Sequence, residues 1–299
     1  MGMITTDMID ATTAAVSEFW DNEMSSKIDY AARLYNVKPT SLMQENFVGT
    51  GSVGLMSPWQ GTVNYQQFNL GFKKGFVQAK YSSGLQFDER VFRYKEYSQL
   101  EEKTGILLDS VYTTRQSHGA AIFENAFLSA YAGPDLVALC SASHPNSPDD
   151  ASVQSNTGTL ALTMPNLIAT FKLMSNIRDD KGNRIFLQPN LLITGIEYWD
   201  VAKKICGPKA GNQEPGHADN DSNVMKDELT PFYYPFITGK KWFLVDTQRM
   251  KRRLKWFDGR IPTPEHQNDF DTEAIKYKIV GEWSNGFTNW EWVYGQNPA

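Results

Sequence analysis

Residues 46–87 contain no acidic side chain, and this segment limits the fold more than any other feature of the sequence. Seven glycines are spread along it, and its only charges are Lys73, Lys74 and Lys80. Apolar and polar residues alternate at 63–67 and at 76–80, which predicts two strands joined by a turn at 70–75. A two-stranded hairpin has no second layer on which to bury a face. We therefore predict a long hairpin that another copy of the chain covers.

Helical patterns lie on both sides of this segment. Residues 8–36 carry apolar side chains at helical spacing, which predicts an amphipathic N-terminal arm that ends before Pro39. After the segment, Asp88 is a suitable N-cap, and one apolar face recurs to about residue 130. A helix of about forty residues would be about 60 Å long, so we expect a spine on which other parts of the fold are built.

The rest of the chain mixes strand and helix patterns. Apolar runs and alternating residues predict strands at 136–140, 191–194, 242–245, 275–279 and 290–294. An Asn285-Gly286 turn would join the last two strands into a closing hairpin. Thr163 is the expected N-cap of a helix that ends at Met174, and a further helix is expected at residues 197–205. Together these patterns predict an α+β fold.

Composition excludes several classes of protein. Of the 299 residues, 41% are hydrophobic and 21% charged, as in an ordinary folded protein. The formal net charge of -5 argues against a protein whose main task is to coat nucleic acid. Cys140 and Cys206 form no CxxC pair, so we expect neither a disulfide framework nor a cysteine zinc site. No apolar run is long enough to span a membrane, and we predict no membrane contact.

Two short patterns imitate known binding sites but lack part of what those sites require. Residues 49–54 match GxGxxG, yet Pro58 prevents the helix whose N-terminus would face a pyrophosphate. Residues 219–223 resemble the first half of a calcium loop, but Val224 stands where glycine is needed. We interpret the first pattern as the base of the hairpin and the second as a surface loop.

Nucleophilic catalysis and metal binding are weakly supported. Cys140 lies close to His144 in sequence, but a catalytic dyad needs a rigid pair and an orienting third group, which this Pro- and Ser-rich stretch does not predict. The four histidines occupy separate predicted elements without metal-ligand spacing. The basic run at 251–256 is interpreted as a charged strand facing water, with contact to packaged nucleic acid or a neighbouring subunit as the alternative. We expect no catalytic residue, no metal site and no cofactor.

Several short motifs in the middle of the chain form a recognisable series. They are Asp135-Leu136-Val137-Ala138-Leu139, Ser143-His144-Pro145, Ser155-Asn156, Leu162-Thr163, Asp180-Lys181-Gly182, Pro189-Asn190-Leu191-Leu192-Ile193, Ala202-Lys203-Lys204-Ile205, Pro231-Phe232 and Trp242-Phe243-Leu244. With the predicted order of arm, hairpin, spine helix and α+β domain, nearly the whole chain resembles the major capsid proteins of tailed bacteriophages. The resemblance is strongest to the Mu-like major head subunits.

This resemblance implies the phage major capsid fold and a division of the chain. The segments are an N-terminal arm at 1–45, an extended loop hairpin at 46–87, a peripheral domain with the spine helix at 88–158, an axial domain at 159–262 and a closing β-hairpin of the peripheral domain at 263–299. In that family the extended loop lies on an adjacent subunit, and the axial domain lies at the centre of each capsomer.

The resemblance also implies a function. The chain would be a structural protein, not an enzyme, that self-assembles into the hexamers and pentamers of an icosahedral head around double-stranded DNA. Its location would be the virion, after assembly in the bacterial cytoplasm. Portal and scaffold proteins are implied partners, and packaged DNA would be contacted weakly and without specificity. Because the helical pattern begins near residue 8, we expect a separate scaffold protein or earlier trimming of a scaffolding segment.

We predict that the hairpin makes the contacts between subunits. Its three lysines would meet acids of a neighbouring copy, and its aromatic residues Trp59, Phe68, Phe72 and Phe76 would supply apolar contact. Two alternatives remain. One is an encapsulin-type nanocompartment, which has the same fold and encloses enzymes, and the other is a soluble hydrolase that uses His217 and Asp219 in the loop at 211–223.

Overall fold

The computed structural model describes residues 18–88, 90–91, 97–207, 225, 228–269 and 274–299. The described helices are residues 18–26 (α1), Tyr30–Leu34 (α2), Tyr97–Glu124 (α3), Met164–Met174 (α4), Trp199–Ile205 (α5) and Thr247–Arg253 (α6). The described strands are Asn36–Pro39 (β1), Gln44–Thr50 (β2), Leu70–Val77 (β3), Ala79–Asp88 (β4), His144–Ser147 (β5), Asp150–Gln154 (β6), Thr157–Gly158 (β7), Leu191–Thr194 (β8), Thr230–Tyr233 (β9), Trp242–Val245 (β10), Leu254–Asp269 (β11), Ala274–Phe287 (β12) and Val293–Gln296 (β13). The predicted α+β class is confirmed.

The N-terminal segment contains two short helices where the sequence predicted one. Asp29 begins α2, because its Oδ1 accepts a hydrogen bond from Ala32 N at 3.0 Å and so caps a new helix. The chain leaves α2 as strand β1, which contains Pro39 and pairs in parallel with β11. Residues 8–17 of the predicted helix lie outside the described residues. The prediction of one continuous helix is therefore wrong beyond residue 26.

The spine helix α3 is the longest helix that the structure describes. It ends at Glu124, earlier than predicted, and residues 90–91 are helical as well. A Cβ atom on Gly119 would lie 2.4 Å from the Tyr234 hydroxyl and 3.1 Å from Ala31 Cβ. The glycine therefore allows α2 and Tyr234 to approach the helix closely. Tyr234 Oη also donates to the Gln116 carbonyl at 2.9 Å.

A four-stranded sheet lies beside the spine, with strand order β1-β11-β12-β4. Trp283 of β12 stacks on Tyr81 of β4, with ring centroids 4.4 Å apart, and donates from Nε1 to His118 Nδ1 on α3 at 3.0 Å. Arg115 of α3 donates to Asp258 of β11, with 2.7 Å between Nη1 and Oδ1. These contacts hold the spine helix against one face of the sheet.

A five-stranded sheet forms the second layer of the molecule, with strand order β7-β13-β10-β8-β9. Strands β8 and β10 are buried along their whole length, as their apolar sequences predicted. Thr163 caps α4 as predicted, because its side chain accepts from Asn166 N. The largest fully buried side chains of the subunit include Trp242, Trp292, Tyr234 and Phe243.

The predicted strand at 136–140 is wrong. These residues form turns and bends, and Leu136 has a φ of 63°, in the left-handed region that strand residues do not adopt. Their apolar side chains have other environments: Leu139 and Cys140 are buried in the main core, while Leu136 is exposed. Apolar composition alone therefore misidentified a buried turn as a strand.

The predicted closing hairpin is also wrong. Strand β12 continues through Asn285 and Gly286 and pairs with β11 and β4, whereas β13 pairs with β10 in the five-stranded sheet. Asn285 Nδ2 donates to the His118 carbonyl at 2.8 Å, and a Cβ on Gly286 would lie 2.8 Å from the Phe76 ring. The Asn-Gly pair packs against neighbouring elements instead of forming a turn.

The acid-free segment divides at Gln78. Before it, β2 and β3 pair antiparallel and are joined by residues 51–69, which form neither helix nor strand. We call residues 44–77 the β-arm. After Gln78, β4 pairs with β12. The predicted hairpin forms, but the predicted strand at 63–67 and turn at 70–75 are wrong, because β3 occupies the expected turn.

Candidate assembly surface

The two strands of the β-arm approach each other closely at a pair of glycines. A Cβ on Gly71 would lie 2.8 Å from the Gly49 carbonyl carbon, and one on Gly49 would lie 3.0 Å from the Phe72 oxygen. The pairing register shifts between Val48 and Thr50 at the same place. The glycines of the GxGxxG pattern therefore belong to a strand crossing, and among the described residues 49–54 no helix begins, so the dinucleotide motif is set aside.

Side-chain hydrogen bonds from both strands tie the β-arm to the rest of the subunit. Asp180 Oδ1 accepts hydrogen bonds from Ser52 N, at 2.8 Å, and from Ser52 Oγ. On the other strand, Lys74 Nζ donates to the Ala132 carbonyl at 3.2 Å. Burial lowers the pKa of Lys74, and the nearby charge of Asp135 opposes that shift. The base of the arm is thus held from both strands.

The far part of the β-arm exposes a run of large apolar side chains. We call this set the apolar tip, and its members are Val53, Leu55, Met56, Trp59, Val63, Tyr65 and Phe68. Met56 is 95% exposed and Tyr65 is 89% exposed. Large apolar side chains exposed together in one short segment mark a candidate site of interaction. Only Trp59 and Phe68 were predicted from the sequence. The other five members lie in the same acid-free segment, which is the feature that could have indicated them.

The four predicted aromatic contacts have different environments. Trp59 and Phe68 are exposed, and Phe72 is half-buried near the base of the arm. Phe76 is buried, with its ring centroid 5.4 Å from that of Phe257 on β11. Phe76 therefore stabilises its own subunit, and its prediction as a contact with a neighbouring copy is corrected.

The three predicted lysines also differ. Lys73 is exposed on β3, whereas Lys74 is committed to the Ala132 carbonyl of its own chain. Lys80 lies on β4, and its Nζ is 3.8 Å from Glu282 Oε1 of the same chain. Its side chain remains 64% exposed, so this ion pair is loose. The β-arm itself therefore presents one unbound predicted cation, Lys73.

Three of the motif residues meet in a buried network. His144 Nδ1 lies 2.6 Å from Asp135 Oδ2, and His144 Nε2 lies 3.0 Å from Asn156 Oδ1. Asn156 Nδ2 donates to the Leu139 carbonyl at 2.8 Å, which orients its oxygen towards the ring. The ring also stacks on Trp290, with centroids 4.3 Å apart. Both ring nitrogens have partners, so the network is structural.

The Cys140 and His144 pair is not a catalytic dyad. The contacts of the His144 ring are Asp135 and Asn156 rather than the thiol. Cys140 is buried, and burial raises its pKa, which disfavours the nucleophilic thiolate. Among the described residues no three His, Cys, Asp or Glu side chains are grouped as metal ligands. The loop at 211–223 suggested for a hydrolase and the calcium-like pattern at 219–223 lie outside the described residues.

The basic run at 251–256 is divided between α6 and β11 and is not a strand facing water. Lys251 Nζ donates to the carbonyls of Ala32, at 2.8 Å, and Tyr35, at 2.7 Å. Trp256 is fully buried, and the Arg115 guanidinium lies 4.6 Å from the centroid of its ring. This part of the run therefore joins α6 and β11 to α2 and α3.

No helix among the described residues is long and apolar enough to cross a membrane.

Solved structures match the chain over almost its whole length. The procapsid of bacteriophage JBD30 matches 99% of this chain and 77% of its own, with 11% identity and a TM-score of 0.58. The capsid of an empty GTA particle matches 92% of both chains, with 8% identity and a TM-score of 0.54. The chain has the phage capsid fold.

The phage capsid fold is also found outside phage heads. A virus-like particle from Pyrococcus furiosus matches 95% of this chain and 99% of its own, with 8% identity and a TM-score of 0.54. No known protein family and no curated protein matches the chain by sequence. The expected capsid fold is thus confirmed by shape, and the Mu-like subtype stays a prediction.

Proposed function

We propose that the chain is the major capsid protein of a tailed phage. It would self-assemble into hexamers and pentamers and close an icosahedral shell around double-stranded DNA. The observation that carries the proposal is the apolar tip, because a subunit with the phage capsid fold leaves these seven side chains in water. A shell subunit covers such a surface with the next copy of itself.

The shape and charge of the β-arm favour a second copy as its partner. The strands of the arm contact the body, the loop at 51–69 between them carries the apolar tip, and no third strand pairs with β2 or β3 among the described residues. Residues 46–87 carry only positive charges, whereas the whole chain has a net charge of -5. Other copies therefore offer acidic surface to Lys73, and apolar contact with Trp59 and its neighbours supplies most of the affinity.

The division of the chain into capsid segments is part of the proposal. We assign the β-arm to the extended loop, α3 to the spine of the peripheral domain and the five-stranded sheet to the axial domain. The N-terminal arm, predicted at residues 1–45, would end at residue 43, because the β-arm begins at Gln44. Because β13 pairs with β10, the C-terminal residues 293–296 belong with the axial sheet rather than with a closing hairpin at 263–299.

We infer the remaining partners from the same role. A head requires a portal at one vertex and a scaffold during assembly, so both proteins are expected to bind this subunit. Packaged DNA would be contacted weakly and without sequence specificity, which fits a chain that is acidic overall. Assembly would take place in the host cytoplasm, and the finished product is the virion. No enzymatic activity is proposed.

A nanocompartment of the encapsulin type is the second candidate. Its support is the match to the virus-like particle from Pyrococcus furiosus, which is as extensive as the matches to phage capsids. The two candidates differ in content, since one shell encloses DNA and the other encloses proteins.

Electron microscopy of the expressed protein tests the proposal. Wild type should form closed shells, and particles purified from infected cells should contain double-stranded DNA. The variant Met56→Ser with Trp59→Ser should remain as soluble subunits, because the apolar contact between copies is lost. Phe186→Ser is the matched control, since Phe186 is 78% exposed but lies outside the β-arm.

The outcomes separate the hypotheses. Shells that contain proteins and no DNA would favour the nanocompartment. Wild-type protein that stays monomeric and hydrolyses a substrate would favour the hydrolase. Shells of unchanged stability in the double variant would refute the role of the apolar tip.

A further inference from the structure

The loop base of the β-arm is closed by its own backbone. Gly51 N donates to the Asn69 carbonyl at 2.8 Å, so the chain is paired across the loop where the apolar tip begins. A Cβ on Gly51 would lie 2.4 Å from Asp180 Oδ2. The glycine therefore leaves room for the Asp180 carboxylate to reach the backbone at this closed base.

Asp180 approaches this base from a turn that is closed by its own hydrogen bonds. Asp179 Oδ1 accepts from Asn183 N at 2.7 Å, which closes the turn. Gly182 has a φ of 79°, a conformation that glycine adopts without strain. Asp180 is thus presented by the body of the subunit, and its Oδ1 accepts from both the backbone N and the Oγ of Ser52.

The position of Asp180 is unfavourable for a residue that only stabilises the body. Its Oδ2 is buried and has no hydrogen-bond partner among the described residues. Asp180 and Glu291 both line a cleft of about 380 Å³ between the arm and the body. Burial raises the pKa of Glu291, the charges of Arg253 and Arg249 oppose that shift, and the charge of Asp180 adds to it. Arg178, Arg184, Arg249 and Arg253 line the same cleft and favour carboxylates in it, so the feature specific to Asp180 is its pair of bonds to Ser52.

We propose that Asp180 is the residue that positions the β-arm. By holding Ser52, it fixes the direction in which the apolar tip leaves the subunit, while Lys74 holds the opposite strand. The consequence for assembly rests on the proposed shell function, but the positioning itself is a property of the single subunit. A correctly directed arm would lower the entropy lost when a second copy binds the tip.

A distance measurement in the unassembled subunit tests this inference. Spin labels at Gln60→Cys in the loop and Lys172→Cys on α4 would be compared by pulsed electron paramagnetic resonance in a Cys206→Ser background. The dilute subunit would carry Asp180, Asp180→Ala, Asp180→Asn or Ser52→Ala. Asp200→Asn is the matched control, because Asp200 is an exposed carboxylate on α5 whose contact is Lys204 on the same helix.

We expect a narrow distance distribution for the unsubstituted protein and a broader one for Asp180→Ala. Ser52→Ala keeps the backbone donor and should fall between them, and Asp180→Asn keeps an acceptor oxygen and should stay narrow. The Ser52 amide should also exchange its hydrogen about tenfold faster in Asp180→Ala. Asp200→Asn should change neither measurement. Thermal melting confirms that the body of each variant is folded.

An unchanged distribution in folded Asp180→Ala would overturn the inference. Equal broadening in Asp180→Asn would overturn it as well, since the acceptor oxygen would then not be the cause. If wild type forms shells and Asp180→Ala keeps a narrow distance distribution, the positioning role is refuted and the proposed function is not. If wild type forms no shells and the distance distribution of Asp180→Ala broadens, the proposed function is refuted and the positioning role is not.

Discussion

The acid-free segment contains two regions of similar composition with opposite surroundings. In β4, Tyr81 stacks on Trp283 and lies 4.6 Å from His118 on α3, measured between ring centroids. In the loop of the β-arm, Trp59 is 73% exposed. The difference comes from strand pairing, because β4 joins a sheet that the spine helix covers, whereas β2 and β3 pair only with each other among the described strands. Aromatic residues of one region stabilise the subunit, and those of the other are exposed, as the proposed contact with a second copy requires.

The largest expected effect is the removal of the β12 aromatic side chain on which Tyr81 of the covered region stacks. Trp283→Ala should lower the free energy of unfolding by about 3–5 kcal/mol, since a buried ring and its contacts are lost. Urea denaturation of dissociated subunits measures this change. The matched variant Trp59→Ala should change it by less than about 0.5 kcal/mol. Similar losses in the two variants would contradict the distinction between the regions.

The complementary measurement concerns assembly. Trp59→Ser should raise the critical concentration for shell formation by about tenfold or more, because a central tryptophan of an interface commonly contributes over 1.4 kcal/mol. Light scattering against protein concentration follows the transition. Phe186→Ser should leave the critical concentration unchanged. The distinction fails if Phe186→Ser impairs assembly more than Trp59→Ser does.

The spine helix that covers β4 is itself fixed at Glu124. Its carboxylate accepts from Lys241 Nζ and Thr238 N, both at 2.8 Å. Burial by itself would raise the pKa of Glu124, but these donors and the Lys241 charge lower it overall. A carboxyl group whose pKa is lower in the folded state contributes stability at pH values above its unfolded pKa. That contribution is lost as the pH falls through the folded pKa.

Glu124→Gln should therefore cost about 1 kcal/mol at pH 7, and the difference from wild type should shrink below about pH 4. Urea midpoints between pH 3 and pH 7 give the comparison, with both proteins in the same buffers. A difference that stays constant across this range would show that the Glu124 charge is not involved.

The smallest effect is expected at Lys80, at the boundary between the two regions. Its ion pair with Glu282 is long and exposed, so Lys80→Met should change the free energy of unfolding by less than about 0.5 kcal/mol. If Lys80 also meets an acid of a neighbouring copy, assembly of Lys80→Met will slow and depend less on salt. Lys73→Met provides the comparison within the β-arm. Unaltered assembly in both would leave the apolar tip as the source of affinity.

Local sequence patterns predicted those elements whose formation depends on neighbouring residues. Strands β8 and β10 were recognised because continuous apolar runs identify strands buried on both faces. Thr163 was recognised as a cap because its hydroxyl accepts from the backbone a few residues later. The spine helix followed from an apolar face that repeats over many turns. Each of these features depends on residues close together in the sequence.

Pairing between distant residues was not predictable in this way. The sequence around Asn285 and Gly286 is that of a hairpin turn, yet contacts with His118 and Phe76 keep it extended within β12. The motifs around Asp135, His144 and Asn156 are separate stretches of the sequence, and nothing local indicates that they form one buried network. Asp180 likewise belongs to a short motif, and nothing in the sequence indicates that it holds Ser52.

The sequence by itself determined that residues 46–87 could not build a core alone, because a glycine-rich hairpin has no opposing layer on which to bury a face. It also determined the α+β class through the periodicity of apolar residues. The tertiary structure alone decided that β4 is covered by α3 while the apolar tip stays exposed. The physical reason is that the burial of a side chain depends on which element, distant in sequence, packs against it. Neither composition nor periodicity specifies that element.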